Sequence, residues 1–451
     1  MFSSRLPKDI SPSPFFAELE RVKTCAKKDA AEGGLSFIDM TVSSPVKVGL
    51  PIDLNAAVDE GRESFGCWNP DAAGWMSARE AVVEYYRERG ENFTAGQIIL
   101  TASTSEAYSV LFKTFCDPGD VILTPMPGYP LLDTLAQLEH LECAPYFLQL
   151  RRENARKLAT DERREGAAFR FVLDTDSLLA APERAKILLL VSPHNPTGHC
   201  ISREEWNAAV RFCEENGMVL VVDEVFGDYA FSDKVKRTWE YVFGLCPPEP
   251  SLSQSSPSKS FSTEGRKSIH CRFNDFWDAG GGDFINLPED GPKCPIFWLN
   301  GLSKAVGSPQ LKLGWMAFYA PREHFEETRA ALEFVEDAYL SVSAPAQALG
   351  SALLKQSAAY ESRVKERLLQ NWQTLREAFP SKYCPEVLGG WYAVVRLGED
   401  DEDLTLRLLR EKHVLVQPGF FFDFDEDGWV VISLLQEPAL FKEAVRRMAD
   451  R

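Results

Sequence analysis

The chain has 451 residues, of which 45% are hydrophobic and 26% are charged, so it can bury a large core and exceeds what one core usually supports. Its formal net charge of −18 argues against nucleic acid or an anionic membrane as the main partner, because binding phosphate over a wide surface needs basic residues. No apolar run approaches the roughly 20 residues of a membrane span, and the N-terminal stretch lacks the apolar core of a signal peptide. These properties predict a soluble cytoplasmic protein without membrane or nucleic-acid partners. The ten cysteines include no CxxC pair and predict reduced thiols and no metal site.

Short apolar runs alternate with helix-like segments in the first part of the chain. The runs at 97–103, 120–126, 187–193 and 218–225 are bounded by Gly, Pro, Asp or Asn, and residues 202–216 have a helical pattern. This alternation is typical of βαβ units, and nearly continuous apolar strands favour a parallel sheet with both faces covered. The sequence therefore predicts an α/β fold whose large domain has a mostly parallel sheet covered by helices on both faces.

The pattern of apolar and polar residues changes after about residue 316. Long amphipathic segments at 323–340 and 362–379 are followed by a strand-rich tail, which together predict a second, smaller α+β domain. A tract rich in Ser, Pro and Gly precedes the change and predicts a surface insertion that is partly disordered. We therefore expect a segment 1–60 that joins the small domain, a large domain 61–320 with an insertion at 245–295, and a small domain 321–451.

Polar residues at the ends of the predicted strands are the first functional candidates, because open parallel sheets bind ligands beyond the carboxyl ends of their strands. Ser103, Thr104 and Ser105 follow one strand and open a helix, where hydroxyls and amides can hold an anion, although plain N-capping gives the same pattern. Tyr129 stands between two prolines and fits either a binding aromatic or a rigid turn. Asn195 begins an Asn-Pro-Thr-Gly turn after another strand.

Two acids and two lysines complete the set of candidates. Asp223 and Glu224 close a wholly apolar strand, where an acid is either paired or functional. Lys304 follows Ser303, and a lysine that loses its proton in a polar pocket can attack an aldehyde and form a Schiff base. Lys312 could instead neutralise a phosphate, and the plain alternative is that both lysines lie on the surface.

Together and in this order, these residues resemble the class I/II aminotransferases, enzymes of fold type I that depend on pyridoxal 5'-phosphate (PLP), from about residue 60 to 435. The resemblance implies that PLP binds in the 61–320 domain, that the protein is a homodimer, and that an amino group passes between an amino acid and a 2-oxo acid through a Schiff base on Lys304. Lys304 and Asp223 would be the catalytic residues, because a carboxylate on the ring nitrogen keeps the ring an electron sink. The implied contacts of the cofactor are its phosphate with Ser103, Thr104, Ser105 and Lys312, its ring with Tyr129, its phenolic oxygen with Asn195, its ring nitrogen with Asp223, and its aldehyde with Lys304 beside Ser303.

Five positions depart from the family pattern. Phe226 replaces a tyrosine that bonds the phenolic oxygen, and Gly301 replaces a frequent phosphate-binding serine. Trp68 occupies the place of a tyrosine that reaches the partner subunit's phosphate, and Lys312 stands for the usual arginine. Val431 falls where the family has the arginine that grips the substrate's α-carboxylate.

The departures leave three hypotheses. The first is an aminotransferase in which another cation, such as Arg396 or Lys47, binds the carboxylate, although each also fits a solvated surface charge. The second keeps PLP and changes the substrate or reaction, to an amine transaminase, a decarboxylase or a lyase. The third is a PLP-binding protein with little turnover, against which the joint presence of Asn195, Asp223 and Lys304 weighs.

Overall fold

The computed structural model describes residues 13–67, 69–154, 167–243, 291–398 and 400–450, together with residues 3, 5–7 and 11. Within these ranges the strands are β1 Ile38–Asp39, β2 Ile98–Thr101, β3 Val121–Met126, β4 Glu142–Asn154, β5 Ala167–Leu173, β6 Ala185–Val191, β7 Val219–Asp223, β8 Ile296–Gly301, β9 Gly314–Tyr319, β10 Tyr392–Arg396, β11 Val414–Leu415, β12 Gln417–Pro418 and β13 Trp429–Ser433. The helices there are α1 Pro14–Ala31, α2 Leu54–Gly61, α3 Met76–Arg87, α4 Thr104–Phe115, α5 Leu131–Leu138, α6 Arg203–Asn216, α7 Glu240–Phe243, α8 Leu302–Ala305, α9 Phe325–Tyr339, α10 Ala344–Leu354, α11 Ser357–Ala378, α12 Asp401–Lys412 and α13 Pro438–Ala449.

Local sequence sets the helix boundaries, and α6 is a clear case. Ser202 accepts a hydrogen bond from the Glu205 amide at 3.2 Å, and the Glu205 carboxylate accepts one from the Ser202 amide at 2.7 Å. This capping box satisfies two backbone donors that the first turn would otherwise leave unpaired. Gly217 ends the helix at a φ of +61°, a left-handed conformation that costs glycine little.

Eight strands form the main sheet, in the order β2-β9-β8-β7-β6-β3-β4-β5. The pairs β3–β4, β3–β6, β6–β7 and β7–β8 are parallel, whereas β2–β9, β8–β9 and β4–β5 are antiparallel. The centre of the sheet is therefore parallel and antiparallel pairing is confined to its two sides. The predicted large domain with a mostly parallel sheet is confirmed.

Both faces of this sheet are covered, because alternate residues of each strand enter different apolar clusters. On β7, Leu220 and Val222 pack into a cluster to which α3, α6 and α10 contribute. Val219 and Val221 pack into a second cluster, with side chains from α4, α5 and α9. Burial of these strands on both faces explains why they read as unbroken apolar runs.

A smaller α+β body is built around the sheet β10-β13-β12, which is antiparallel. The two-stranded pair β1–β11 joins the N-terminal segment to this body, with Ile38 opposite Val414. The buried Phe15 and Leu19 of α1 pack with Leu409 of α12. The second, smaller α+β domain is confirmed as part of the fold.

The boundaries of the domains remain a proposal, and the packing favours a later start for the small domain than residue 321. Leu332 of α9 and Leu353 of α10 lie in the clusters of the main sheet, whereas Tyr360 of α11 lies in the core of the small body. We therefore propose a boundary near residue 356. The predicted insertion at 245–295 lies outside the described residues apart from 291–295, which lead into β8. None of the helices in the described ranges combines the length and the apolar character needed to cross a membrane.

Candidate active site

One edge of the main sheet gathers the predicted functional residues. Strands β2, β3, β6, β7 and β8 end at this edge, and β9 begins there because it runs antiparallel to β8. The loops beyond the strand ends enclose a cavity of about 320 Å³. All nine side chains that the sequence analysis selected line it, namely Ser103, Thr104, Ser105, Tyr129, Asn195, Asp223, Ser303, Lys304 and Lys312.

The start of α4 forms one wall of the cavity. Ser103 caps this helix, since its Oγ accepts a hydrogen bond from the Glu106 amide at 3.2 Å. The capping interpretation therefore holds for the Ser103 side chain, while the helix N-terminus still presents its positive end to the cavity. Gly314 lies directly against this turn, where a Cβ would stand 3.0 Å from the Ser103 carbonyl carbon and 3.1 Å from the Thr104 nitrogen. Glycine at 314 thus permits the close approach of β9 to an anion-binding turn.

Asp223 is the last residue of β7, and its carboxylate is held by two donors. The Tyr108 hydroxyl donates to Oδ2 at 2.6 Å, and the Val225 amide donates to Oδ1 at 3.0 Å. Burial raises the pKa of Asp223, whereas these two hydrogen bonds and the nearby Lys304 act in the opposite direction. The carboxylate is therefore fixed in orientation at the wall of the cavity.

Glu224, the next residue, has a different environment because successive residues of a strand point to opposite faces. Its Oε2 accepts a hydrogen bond from Arg237 Nε at 2.8 Å, and its Oε1 accepts one from the Thr238 amide at 2.8 Å. Of the two acids that close β7, Glu224 is thus buried in an ion pair and Asp223 faces the cavity.

Lys304 lies in α8, the short helix that follows β8, and Tyr229 anchors its backbone by donating a hydrogen bond to its carbonyl oxygen at 2.6 Å. The Lys304 Nζ lies 4.9 Å from the ring centre of Trp391 and 5.6 Å from that of Phe226. Burial lowers the pKa of Lys304 to about 8, and the Asp223 charge opposes this shift. A fraction of the amine is therefore neutral, and nucleophilic, near physiological pH.

Lys312 is far less enclosed than Lys304. It is exposed in the loop before β9, in a left-handed conformation with a φ of +53°. Its side chain borders the same cavity as the start of α4. The two lysines that are eight positions apart in sequence thus differ in environment, since burial desolvates the Lys304 amine whereas Lys312 is exposed at the cavity.

Two further residues show that the cavity suits PLP. The Asn195 Oδ1 is buried and has no hydrogen-bond partner among the described residues. Such an atom needs a polar ligand, because an unpaired buried acceptor is costly. Tyr129 stays 46% exposed at the cavity, with its ring available for stacking. The cavity thus offers an amide for the phenolic oxygen of PLP, an aromatic face for its ring and a carboxylate for its ring nitrogen. It also offers an amine for the aldehyde and an anion cradle for the phosphate.

The structure gives physical reasons for two of the departures. Phe226 is buried, and its ring centre lies 5.4 Å from that of Trp391 and 6.0 Å from that of Tyr392. A Cβ at Gly301 would stand 3.0 Å from the Leu313 carbonyl oxygen, so a serine there would require the backbone to shift. Trp68 lies outside the described residues.

Val431 is fully buried in β13, paired with Val394 of β10. Neither substitute cation lines the cavity: Arg396 forms an ion pair with Glu426, and Lys47 is exposed. For both residues the structure supports the interpretation as surface charges rather than a carboxylate clamp.

Three residues with polar side chains in the cavity were missed by the sequence analysis. Tyr108, Ser43 and Tyr392 line it together with the predicted set. Tyr108 lies on α4, just after the serines that cap the helix, so its position beside them was an available signal. Ser43 and Tyr392 come from the N-terminal segment and the small domain, and no local pattern connects either of them with the strand ends.

The cavity combines a desolvated lysine, a fixed carboxylate and a helix N-terminus, a set of groups that suits a phosphorylated carbonyl cofactor. Comparison with known proteins gives the family. The sequence pattern of the family described as aminotransferase class I and II matches residues 67–268 and 273–448, and the chain belongs to this family of PLP-dependent enzymes.

Individual relatives are distant but span the chain. A glutamate-pyruvate aminotransferase of Haemophilus influenzae is 21% identical over 436 residues, which is 93% of this chain and 91% of the relative. An S-alkyl-thiohydroximate lyase of Arabidopsis thaliana is 23% identical over 411 residues, or 87% of this chain and 74% of the relative. The crystal structure of an aminotransferase from Escherichia coli has a TM-score of 0.71 at 19% identity and covers 100% of this chain and 97% of that one, a likeness of fold.

Proposed function

We propose that this protein transfers an amino group between an amino acid and a 2-oxo acid, with Lys304 as the residue that bonds to PLP. The observation that carries the proposal is the placement of Lys304 and Asp223 on one cavity with the N-terminus of α4. When bound, PLP supplies an electron sink conjugated to the substrate's α-carbon. The residues of the chain supply the attachment, the orientation and the movement of protons.

Lys304 has two tasks in this proposal. Its neutral amine would hold the aldehyde of the cofactor. Once released by an amino substrate, the same amine would move the proton at the substrate's α-carbon. A pKa of about 8 suits both tasks, because the group can accept and release a proton near neutral pH.

Asp223 keeps the ring nitrogen protonated. A carboxylate opposite a pyridinium favours the protonated ring, and the donors Tyr108 and Val225 hold that carboxylate in place. Asn195 binds the phenolic oxygen and Tyr129 covers the ring. The turn Ser103–Ser105, Ser303 and Lys312 bind the phosphate, with the helix N-terminus adding its positive end.

One experiment tests this function. The purified protein is loaded with PLP and mixed with single amino acids while the absorbance of the cofactor is followed. Conversion to pyridoxamine phosphate, with release of the matching 2-oxo acid, is expected for at least one amino acid. A panel that yields ammonia or a thiol without pyridoxamine phosphate would contradict transamination.

A second candidate function is a carbon–sulfur or related lyase. Two observations favour it: one relative is named an S-alkyl-thiohydroximate lyase, and among the described residues no arginine lines the cavity. The same absorbance experiment separates the two, because elimination regenerates PLP and releases a thiol whereas transamination consumes PLP in the half-reaction.

We also propose a homodimer, supported by an apolar patch at the end of α9. Phe334 is 80% exposed, Tyr339 51% and Leu340 66%, which is unusual for large apolar side chains in a monomer. The adjoining Ser341 binds Asp71, whose amide donates to Ser341 Oγ at 2.9 Å, so the patch borders the segment after Trp68. Phe334→Asp should shift sedimentation towards a monomer, whereas Leu179→Asp, at an equally exposed site away from the patch, should not. A fully active monomer in the unmodified protein would contradict the proposal.

The cytoplasm is our proposed compartment. Eight cysteines in the described part of the chain are free thiols, and four of them are buried. Persistence of free thiols suits a reducing compartment.

A further inference from the structure

This inference rests on the proposed function and concerns the negative charge of an amino-acid substrate. The cavity would have to bind the substrate's α-carboxylate. Among the residues that the structure describes, its cations are Lys304 and Lys312. Lys304 is engaged with the cofactor and with proton transfer, and Lys312 borders the wall that receives the phosphate. The substrate's α-carboxylate therefore meets no dedicated cation from this part of the chain.

We infer that the hydroxyl of Tyr392, with Ser43 beside it, recognises the carboxylate or carboxamide on the substrate's α-carbon. These two hydroxyls would act as uncharged hydrogen-bond donors. Both side chains line the cavity, Tyr392 from the small domain and Ser43 from the N-terminal segment. Ser43 and Tyr392 thus come from other parts of the fold than Asp223, Asn195 and Lys304, which follow or end strands of the main sheet.

The register of the small sheet places Tyr392 beside the position of the absent arginine. Val394 pairs with Val431, and Tyr392 pairs with Ser433, so these four side chains lie on one face of the sheet. Tyr392 and Val431 are diagonal neighbours there, which places their Cβ atoms within about 7–8 Å. Arg396 lies on the same face but four residues along the strand, roughly 13 Å away, and its guanidinium is paired with Glu426.

The Tyr392 ring packs against Phe226, and its hydroxyl interacts with the Ser43 side chain. Its ring makes an edge contact with Phe226 at 6.0 Å between centres, which fixes it against the floor of the cavity. Burial raises the pKa of Tyr392 to about 12, with the nearby Ser43 hydroxyl opposing this shift. The phenol therefore keeps its proton at neutral pH and can donate it in a hydrogen bond.

Neutral donors select substrates differently from a guanidinium. A guanidinium binds a carboxylate through two charged hydrogen bonds and discriminates strongly against an uncharged carbonyl. A phenol or a serine hydroxyl binds a carboxylate oxygen more strongly than a carboxamide oxygen, but it still binds both, and it lacks the second charged bond of a guanidinium. The predicted substrate class is thus amines whose α-substituent accepts a hydrogen bond, with carboxylates and carboxamides both accepted, and simple alkyl amines disfavoured.

The test uses three probes of similar shape that have no α-hydrogen and so bind without turnover: 2-aminoisobutyrate, 2-aminoisobutyramide and tert-butylamine. Dissociation constants come from the change in cofactor absorbance of the PLP-loaded protein, corrected for the fraction of free amine. The variants are Tyr392→Phe and Ser43→Ala. The matched control is Tyr319→Phe, which removes a phenol that donates to the Pro292 carbonyl at 2.8 Å, at the far end of β9.

In the unmodified protein, the acid and the amide should bind within about 10-fold of each other. Tyr392→Phe should weaken the amide by roughly 2- to 12-fold, the range for one neutral hydrogen bond, and the acid by roughly 10- to 150-fold, the range for a bond to a charged group. It should leave tert-butylamine unchanged, and the Tyr319→Phe control should change the binding of none of the three probes. Binding of the acid more than 100-fold tighter than the amide, or no effect of Tyr392→Phe on either, would overturn the inference while the proposed function stands. If no probe changes the absorbance of bound PLP, the proposed function fails and the inference falls with it.

Discussion

The Tyr108 hydroxyl donates a hydrogen bond of 2.6 Å to Oδ2 of Asp223, the carboxylate that ends the central strand β7. Tyr108 is 5% exposed and comes from the first turns of α4, the helix whose N-terminus lines the same cavity. The helix N-terminus at the cavity and the Asp223 carboxylate are therefore linked by one side chain. We regard Tyr108 as a positioning residue that acts through Asp223.

Tyr108→Phe should make Asp223 easier to protonate and so less able to remain a carboxylate. The bond to the charged carboxylate lowers the pKa of Asp223 against the effect of burial, so its loss should raise that pKa further. Protonation of Asp223 would then begin at higher pH, and the acid limb of the rate–pH profile should move upward. The half-reaction should slow by at most roughly 10- to 150-fold, the range for a hydrogen bond to a charged group.

The control for this prediction is Tyr146→Phe. Its hydroxyl is equally buried but donates to the Leu189 carbonyl at 2.8 Å, away from Asp223. Tyr146→Phe should leave the acid limb of the rate–pH profile unchanged. An unchanged profile in Tyr108→Phe would mean that the carboxylate is held well enough by Val225 alone.

Lys304 should capture PLP with a characteristic pH dependence in the protein freed of cofactor. The neutral amine is the nucleophile, so the capture rate should rise with pH and reach half its maximum at about pH 8. Asp223→Asn removes a charge that raises the pKa of Lys304, so the midpoint should move to lower pH. Stopped-flow absorbance gives both midpoints, and a value near the ordinary lysine pKa of about 10.4 would contradict the desolvation of this amine.

Asp223→Ala should lower the rate of the half-reaction by orders of magnitude, because an unprotonated ring is a poorer electron sink. Asp223→Glu keeps the charge at a shifted position and should retain part of the rate. Glu224→Gln serves as the comparison, since Glu224 pairs with Arg237 and should affect thermal stability more than chemistry. Full activity of Asp223→Ala would remove this carboxylate from the proposed mechanism.

Val431→Arg tests the missing clamp directly. A guanidinium at 431 faces the side of the small sheet that Tyr392 shares, and it should strengthen binding of simple α-amino acids over their amides by up to roughly 10- to 150-fold. Val430→Arg is the control, because Val430 points into the core of the small body and its replacement should only destabilise. A folded Val431→Arg variant with unchanged preference would show that position 431 does not reach the substrate.

Much of the fold and the site could be predicted because both rest on local signals. Strands buried on both faces appear as apolar runs, and the polar residues that end them, such as Asp223 and Asn195, lie where a parallel sheet binds ligands. Lys312 could be included through the family resemblance, and the structure places it at the same edge because β9 runs antiparallel to β8 and starts there.

Other features depend on packing and could not be read from a local pattern. The amphipathic helices α9 and α10 have one apolar face each, but the pattern does not state that this face meets the main sheet, which is why we propose a boundary later than residue 321. Arg396 was weighed as a clamp because register and distance along β10 are invisible in sequence. Tyr392 was missed for the same reason, because nothing in its local sequence connects β10 with the cavity.

The attachment of the cofactor is the central claim, and reduction with borohydride tests it most directly. The PLP-loaded protein is reduced, digested and mapped by mass spectrometry, with Lys304→Ala and Lys312→Ala treated in parallel. We predict a stable adduct on Lys304 in the unmodified protein and in Lys312→Ala, with weaker PLP binding in the latter, and no adduct in Lys304→Ala. An adduct that maps to Lys312, or that persists in a folded Lys304→Ala protein, would contradict the proposal.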